Sequence, residues 1–281
     1  MSDPLSTSRP TGSYPVVQRT GLRFFRRLGR ATVGTMRDIG VRAFFVRDMG
    51  RALGDPATYA GETIRQMKNI GVDSVPLTVI VAAFIGSVIA LQTRYQLFAG
   101  VQLSLVGLAS RQMIILELGP LLTGLVLTGR VGARMTAEIG TMRVTEQIDA
   151  LETLAYDPMA YLVVPRVLAA TAMLPVLVVL ADATGLASGY FISVTATDLQ
   201  PSDFIQGMRL GFAPFQVVYS LLKATMFGAA IALVCAYEGY ITEAGAEGVG
   251  RSTARAVVIT SVTILVLDAL TAAVLAPYLQ A

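Results

Sequence analysis

Five apolar runs punctuate the chain, at Val75–Leu91, Met113–Leu127, Leu162–Ile192, Phe215–Tyr237 and Val257–Ala276. Each approaches or exceeds the roughly 20 residues a helix needs to cross about 30 Å of hydrocarbon. The pattern predicts an all-α polytopic membrane protein with about five transmembrane helices. The second run reaches full length only if the polar Glu117 stays inside it, and the third is long enough to tilt or kink at Pro175.

A different pattern precedes the first run. Leu22, Phe25, Leu28, Val33, Met36 and Ile39 recur at three- to five-residue spacing, with Arg23, Arg26, Arg27, Arg30 and Arg37 on other faces. That spacing suits a basic amphipathic helix lying in the interface against anionic lipid. The alternative is a solvated basic tail that only enforces orientation. Residues 1–20, rich in Ser, Thr, Pro and Gly, read as disordered. The chain therefore divides into a tail (1–20), a basic interfacial helical region (21–72) and a membrane domain (73–281). With Arg recurring from Arg9 to Arg51 and no continuous apolar stretch before the first span, no cleavable signal is expected.

Composition agrees: 54% of the 281 residues are hydrophobic and 15% charged, with a mean hydropathy of +0.62, well away from soluble domains. Charge then orients the bundle. Twelve of 22 basic residues precede Val75, and Arg130, Arg134, Arg143, Arg166, Arg251 and Arg255 fall in or beside the second-to-third and fourth-to-fifth connections. Positive charge in short loops stays cytoplasmic, so the N-terminus is expected inside and the C-terminus outside. The absent residues exclude chemistry. With no His and a single Cys, a structural zinc site, a His-based triad and a disulfide framework are out. Neither Lys68 nor Lys223 follows a glycine, so a P-loop is out as well. Any nucleotide that drives this chain must bind a partner.

The connection after the second run is dense in polar residues. Gly129-Arg130-Val131-Gly132 reads as the end of the span, and Val144, Ile148, Leu151 and Ala155 make one apolar stripe, with Glu146, Asp149 and Glu152 facing elsewhere. This predicts a short amphipathic helix parallel to the membrane. Spacing leaves open whether it packs on its own bundle or couples to a partner.

The ordered run Glu117-Leu118-Gly119-Pro120, Gly129-Arg130-Val131-Gly132, Ala137-Glu138-Ile139-Gly140-Thr141-Met142, Thr145-Glu146-Gln147-Ile148-Asp149-Ala150-Leu151, Asp157-Pro158 and Tyr161–Arg166 resembles the signature of the MlaE/YrbE permease family. The resemblance runs from about Asn69 to the C-terminus, and the segments around Lys223, Glu238 and Asp268 fall where the family has comparable ones. It implies the membrane subunit of an ABC-type phospholipid transporter of the Mla/MCE kind, which maintains outer-membrane lipid asymmetry or moves lipid between membranes. It further implies a second permease copy, a cytoplasmic ABC ATPase carrying ATP and Mg, an MCE-domain periplasmic protein forming a hexameric ring and a small STAS-type accessory subunit. No cofactor in this chain and no nucleic-acid partner are implied, and the expected location is a bacterial inner membrane. By the same resemblance Glu138, Thr145, Glu146, Gln147, Asp149 and Glu152 are candidates for ATPase coupling. Many family members have an Arg before the Glu of Glu-Leu-Gly-Pro; this chain has Leu116, so no head-group role for that Arg carries over.

Charges inside the spans are costly unless paired or facing water. Glu117, Lys223 and Asp268 are candidates for a substrate path or gate, with Asp182 a fourth charge to place. A purely structural ion pair of Lys223 with Glu117 or Asp268 is the competing reading. Pro120, directly after Gly119, predicts a break or kink beside Glu117. An ion-coupled secondary transporter would use the carboxylates as ion sites, but no internal repeat supports it. A non-transporting scaffold would have no need of buried charge.

Overall fold

In a computed structural model, the described residues are 40–279 apart from Asp55, Ala99 and Ala244. The tail and the expected interfacial helix up to residue 39 lie outside them; residues 40–52, which continue that segment, are helical (α1). The chain forms two compact units, residues 1–47 and 48–281, and all candidate spans belong to the second.

Five helical segments are long and apolar enough to cross a membrane, and among the described residues there is no strand. The first joins α2 (Pro56–Ile70), a 3-10 turn at Val72–Ser74 and α3 (Val75–Gln96). The third is α8 (Val164–Ala196), the fourth α10 (Phe215–Tyr240) and the fifth α11 (Ala246–Leu275). α8 runs through Pro175 as one helix and is the most enclosed span, packed on α2, α3 and α10. α11 is the least enclosed, with Val258, Val262, Leu265, Val266, Leu270 and Val274 on the outside.

The second segment differs from the sequence expectation. It does not stop at Leu127 but extends over Ser104–Val144, as α4 (Ser104–Met113), α5 (Gly119–Leu127) and α6 (Ala133–Val144) joined by two π-helical turns, Ile114–Leu118 and Thr128–Gly132. Gly129 and Gly132 looked like a stop. A π turn instead absorbs the extra residue, so the helix continues as a polar stalk carrying Arg134, Glu138 and Arg143 past the hydrocarbon. The break expected at Pro120 is likewise met by a π turn, placed just before the proline.

Small residues set a close crossing of α3 and α8. A Cβ on Gly86 of α3 would lie 1.9 Å from the carbonyl oxygen of Gly185 on α8, and one on Gly189 3.0 Å from that of Gly86. The Gly185-Leu186-Ala187-Ser188-Gly189 stretch is thus a packing motif. Gly86→Val is expected to lower stability by on the order of 3 kcal/mol, since the clash is with rigid backbone rather than a movable side chain. Thermal unfolding in detergent measures this; an unchanged midpoint would contradict the tight crossing.

At the end of the bundle opposite α6, Arg94 makes a bidentate bridge to Asp198 at 2.8 and 2.7 Å. Nearby Arg111 is buried and donates to the carbonyls of Met208 and Leu210 at 2.9 and 3.0 Å. It closes the C-terminus of the short helix α9 (Pro201–Arg209).

Candidate functional site

Three of the predicted charges meet in one cluster. Lys223, on α10 about 12 Å from its start, is fully buried. Its Nζ lies 2.8 Å from Glu117 Oε2 and 2.5 Å from Asp268 Oδ1 of α11. Sequence reasoning offered these as alternative pairs; the fold makes both at once. Nζ also donates to the Leu116 carbonyl at 3.2 Å. Pro120 explains that carbonyl's availability, because it lacks the N–H that would close the ordinary helical bond to Leu116. Lys223 thus ties the second, fourth and fifth spans, and the Tyr219 ring adds a face 5.1 Å away.

The cluster is asymmetric. The Lys223 side chain has no exposure and that of Asp268 10%, yet Glu117 is 44% exposed on the flank of the chain. A buried ammonium requires compensation, and two carboxylates against one ammonium leave a net negative charge whose open side is Glu117. Asp182 of α8 lies alongside but outside the trio. Its Oδ2 accepts from Ser220 at 3.2 Å, and its Oδ1 lies where a Cβ on Gly119 would meet it at 1.8 Å. The glycine of Glu-Leu-Gly-Pro therefore leaves room for a carboxylate of another span.

The second candidate site is the connection after α6. A helix forms there (α7, Gln147–Thr153), but it is shorter than the apolar stripe predicted. Val144 ends α6 and Ala155 lies beyond α7. Glu146 and Ala155 both have left-handed backbone, φ 59° and 61°, which separates α7 from both neighbours. Ile148 is its buried anchor, while Gln147, Asp149, Glu152, Leu154 and Tyr156 are exposed. Thr145 and Glu146 form the exposed corner leading in, and Arg143 holds Asp149 at 2.6 Å. Glu146→Gly should stabilise this corner by about 1 kcal/mol, since glycine adopts positive φ without strain; slower local amide exchange would show it, and faster exchange would contradict it. Glu138 stands apart from α7, about two turns earlier on α6. It pairs with Arg134 at 2.7 Å and Arg166 at 3.5 Å.

The family model for Permease MlaE matches residues 63–274, spanning the Glu117 cluster, α7 and all the later spans. The chain belongs to the MlaE permease family. A probable ABC transporter permease protein of Rickettsia prowazekii is 38% identical over 249 residues, 87% of this chain and 95% of the relative. The intermembrane phospholipid transport system permease protein MlaE of Haemophilus influenzae is 29% identical, covering 90% of this chain and 98% of that one. A chloroplastic Arabidopsis thaliana protein, trigalactosyldiacylglycerol 1, is 32% identical over 73% of this chain and 59% of its own length.

The chain is a multi-pass membrane protein and, as a member of this permease family, a transporter subunit. Sequence reasoning found the charges of its cluster but missed the Leu116 carbonyl, Ser220 and Arg111. Pro120 was the available signal for the first. It also missed the arginine-lined cleft between α2, the second span and α8, since its members are far apart in sequence and read as orientation charges.

Proposed function

We propose that this permease moves a phospholipid, in an ABC-type transporter driven by ATP and Mg on a separate cytoplasmic ATPase. The observation that carries this reading is the half-exposed Glu117 carboxylate, held from behind by a sealed Lys223 at membrane depth. An acidic group open on the flank of a span is costly against lipid tails. It is accommodated if that flank lines a polar cavity shared with a second copy of the chain, where Glu117, Lys223 and Asp268 would form the head-group path or gate. The phospholipid named for the Haemophilus relative suits such a site.

α7, with Thr145, Glu146, Gln147, Asp149 and Glu152 exposed around a buried Ile148, supplies the surface for the ATPase. Glu138 belongs to the stalk behind it. Arginines concentrate at the α7 end, at Arg130, Arg134, Arg143 and Arg166, which supports a cytoplasmic α7, an N-terminus inside and a C-terminus outside. On this reading the location is a bacterial inner membrane, with an MCE-domain ring and a STAS-type subunit as further partners. A sodium-coupled alternative is disfavoured, because Lys223 already occupies the space between the two carboxylates that a sodium ion would need.

The test is lipid transport in proteoliposomes containing the whole complex. Glu117→Gln should lower lipid-stimulated ATP hydrolysis and transport together by about tenfold, the size of one charge-assisted contact. Unchanged values for both would remove Glu117 from the path.

A further inference from the structure

A second charged cavity lies at the α7 end of the bundle, apart from the Glu117 cluster. It is lined by Gln66 and Asn69 of α2, Arg130 of the second π turn, Arg134 and Glu138 of α6, and Arg166 of α8. Ile70, Val131 and Met135 supply its apolar wall.

Three guanidinium groups face one carboxylate in this lining, and Glu138 does not satisfy them all. It takes Arg134 Nε at 2.7 Å and Arg166 Nη2 at 3.5 Å. Arg166 is 94% buried by its 6% exposure; its Nη1 donates to the Leu162 carbonyl at 2.8 Å, yet its Nε is buried without a partner. Arg130, half-buried, makes no ion pair or hydrogen bond among the described residues. Glu62 comes closest to adding negative charge, but its carboxylate is engaged by Arg65 and Gln66 at 2.9 and 2.8 Å. Unmatched buried donors of this kind call for an acceptor. A planar guanidinium fits the oxygens of a phosphate in particular.

Position selects the source. Arg130 sits one turn beyond the apolar α5, and Asn69 just before the apolar α3, so the cavity lies at the depth where a span leaves hydrocarbon for head groups. The cleft opens to the surface and offers about 30 Å³ of water-sized space, enough for a phosphate edge or about two waters but not for an acyl chain. An acyl chain would lie outside, along the exposed apolar flank.

We propose that this cleft holds the phosphate of a phospholipid from the leaflet on the α7 side, as a bound lipid at the joint of α2, the second span and α8. This rests on the membrane reading but not on α7 or the ATPase. The full-length chain in detergent, titrated with phosphatidylglycerol and read by native mass spectrometry, tests it. The wild type should retain phosphatidylglycerol, and Arg130→Gln and Arg134→Gln should each weaken retention by about tenfold. Diacylglycerol with the same acyl chains should bind far more weakly. Arg130→Lys, which keeps the charge but loses the fork, should recover only part of the loss. Equal retention by Arg130→Gln and wild type, or equal retention of diacylglycerol, would overturn the proposal. Displacement by inorganic phosphate at concentrations equal to the lipid would assign the site to a free anion and overturn the lipid source. The chain is measured alone, so loss of ATP-driven transport in the complex would sink the functional reading without altering this result.

Discussion

Lys223→Met is expected to destabilise the chain by on the order of 3–5 kcal/mol, the scale at which a buried ion pair loses one partner. Removing the ammonium leaves Asp268 at 10% exposure and Glu117 facing each other without the charge that holds them. It also strips the Leu116 carbonyl of its donor. Neutralising all three groups, as Lys223→Met with Glu117→Gln and Asp268→Asn, should recover most of that stability, because no uncompensated charge remains. The recovered triple variant should nevertheless fail to transport lipid, which separates a path from a brace. Denaturant unfolding in detergent measures the first effect and proteoliposome transport the second. A Lys223→Met chain as stable as wild type would contradict the ion trio; a triple variant with full transport would reduce it to a brace.

Reversing the charge of α7, as Asp149→Lys together with Glu152→Lys, should leave the fold intact and cut ATP-driven transport on the order of 100-fold. Both side chains are exposed, and among the described residues the only ion pair given up is the surface one between Arg143 and Asp149, which contributes little to stability. Charged contacts buried in a partner interface are worth several kcal/mol when opposed by the wrong sign, which accounts for the size of the effect. Glu247→Lys, near the start of α11 and paired within its own helix to Arg251, serves as a control with near-normal transport. Loss of activity in both variants alike would mean a general charge effect, and no loss in the α7 variant would remove α7 from coupling.

The spans were legible because hydrocarbon sets a minimum apolar length for a crossing: the runs at Val75 and Phe215 start where α3 and α10 start, while the run at Val257 lies inside α11, which begins earlier at Ala246 because its first turns are polar. The second span was not, since Gly129-Arg130-Val131-Gly132 carries the composition of a stop while a π turn carries the helix through it. Propensity registers the glycines; it does not register the tertiary packing that keeps the segment helical, such as the Cys235 sulfur 2.8 Å from where a Gly132 Cβ would lie.

The cluster was half legible. Intramembrane charge marked Glu117, Lys223 and Asp268, but their joint pairing joins positions 106 residues apart in one case, and only the fold brings these together. The corner at Glu146 gave no signal, because a left-handed residue is usually a glycine or asparagine and here is a glutamate.

Site-directed crosslinking in the native membrane tests the central claim most directly. A cysteine at Glu152→Cys on α7 should capture a P-loop ATPase, while one at Asp203→Cys on α9, at the opposite end of the bundle, should not. Capture of no ATPase from α7, in membranes where transport follows an ion gradient, would contradict the account of this chain as a permease driven through α7 by its partner.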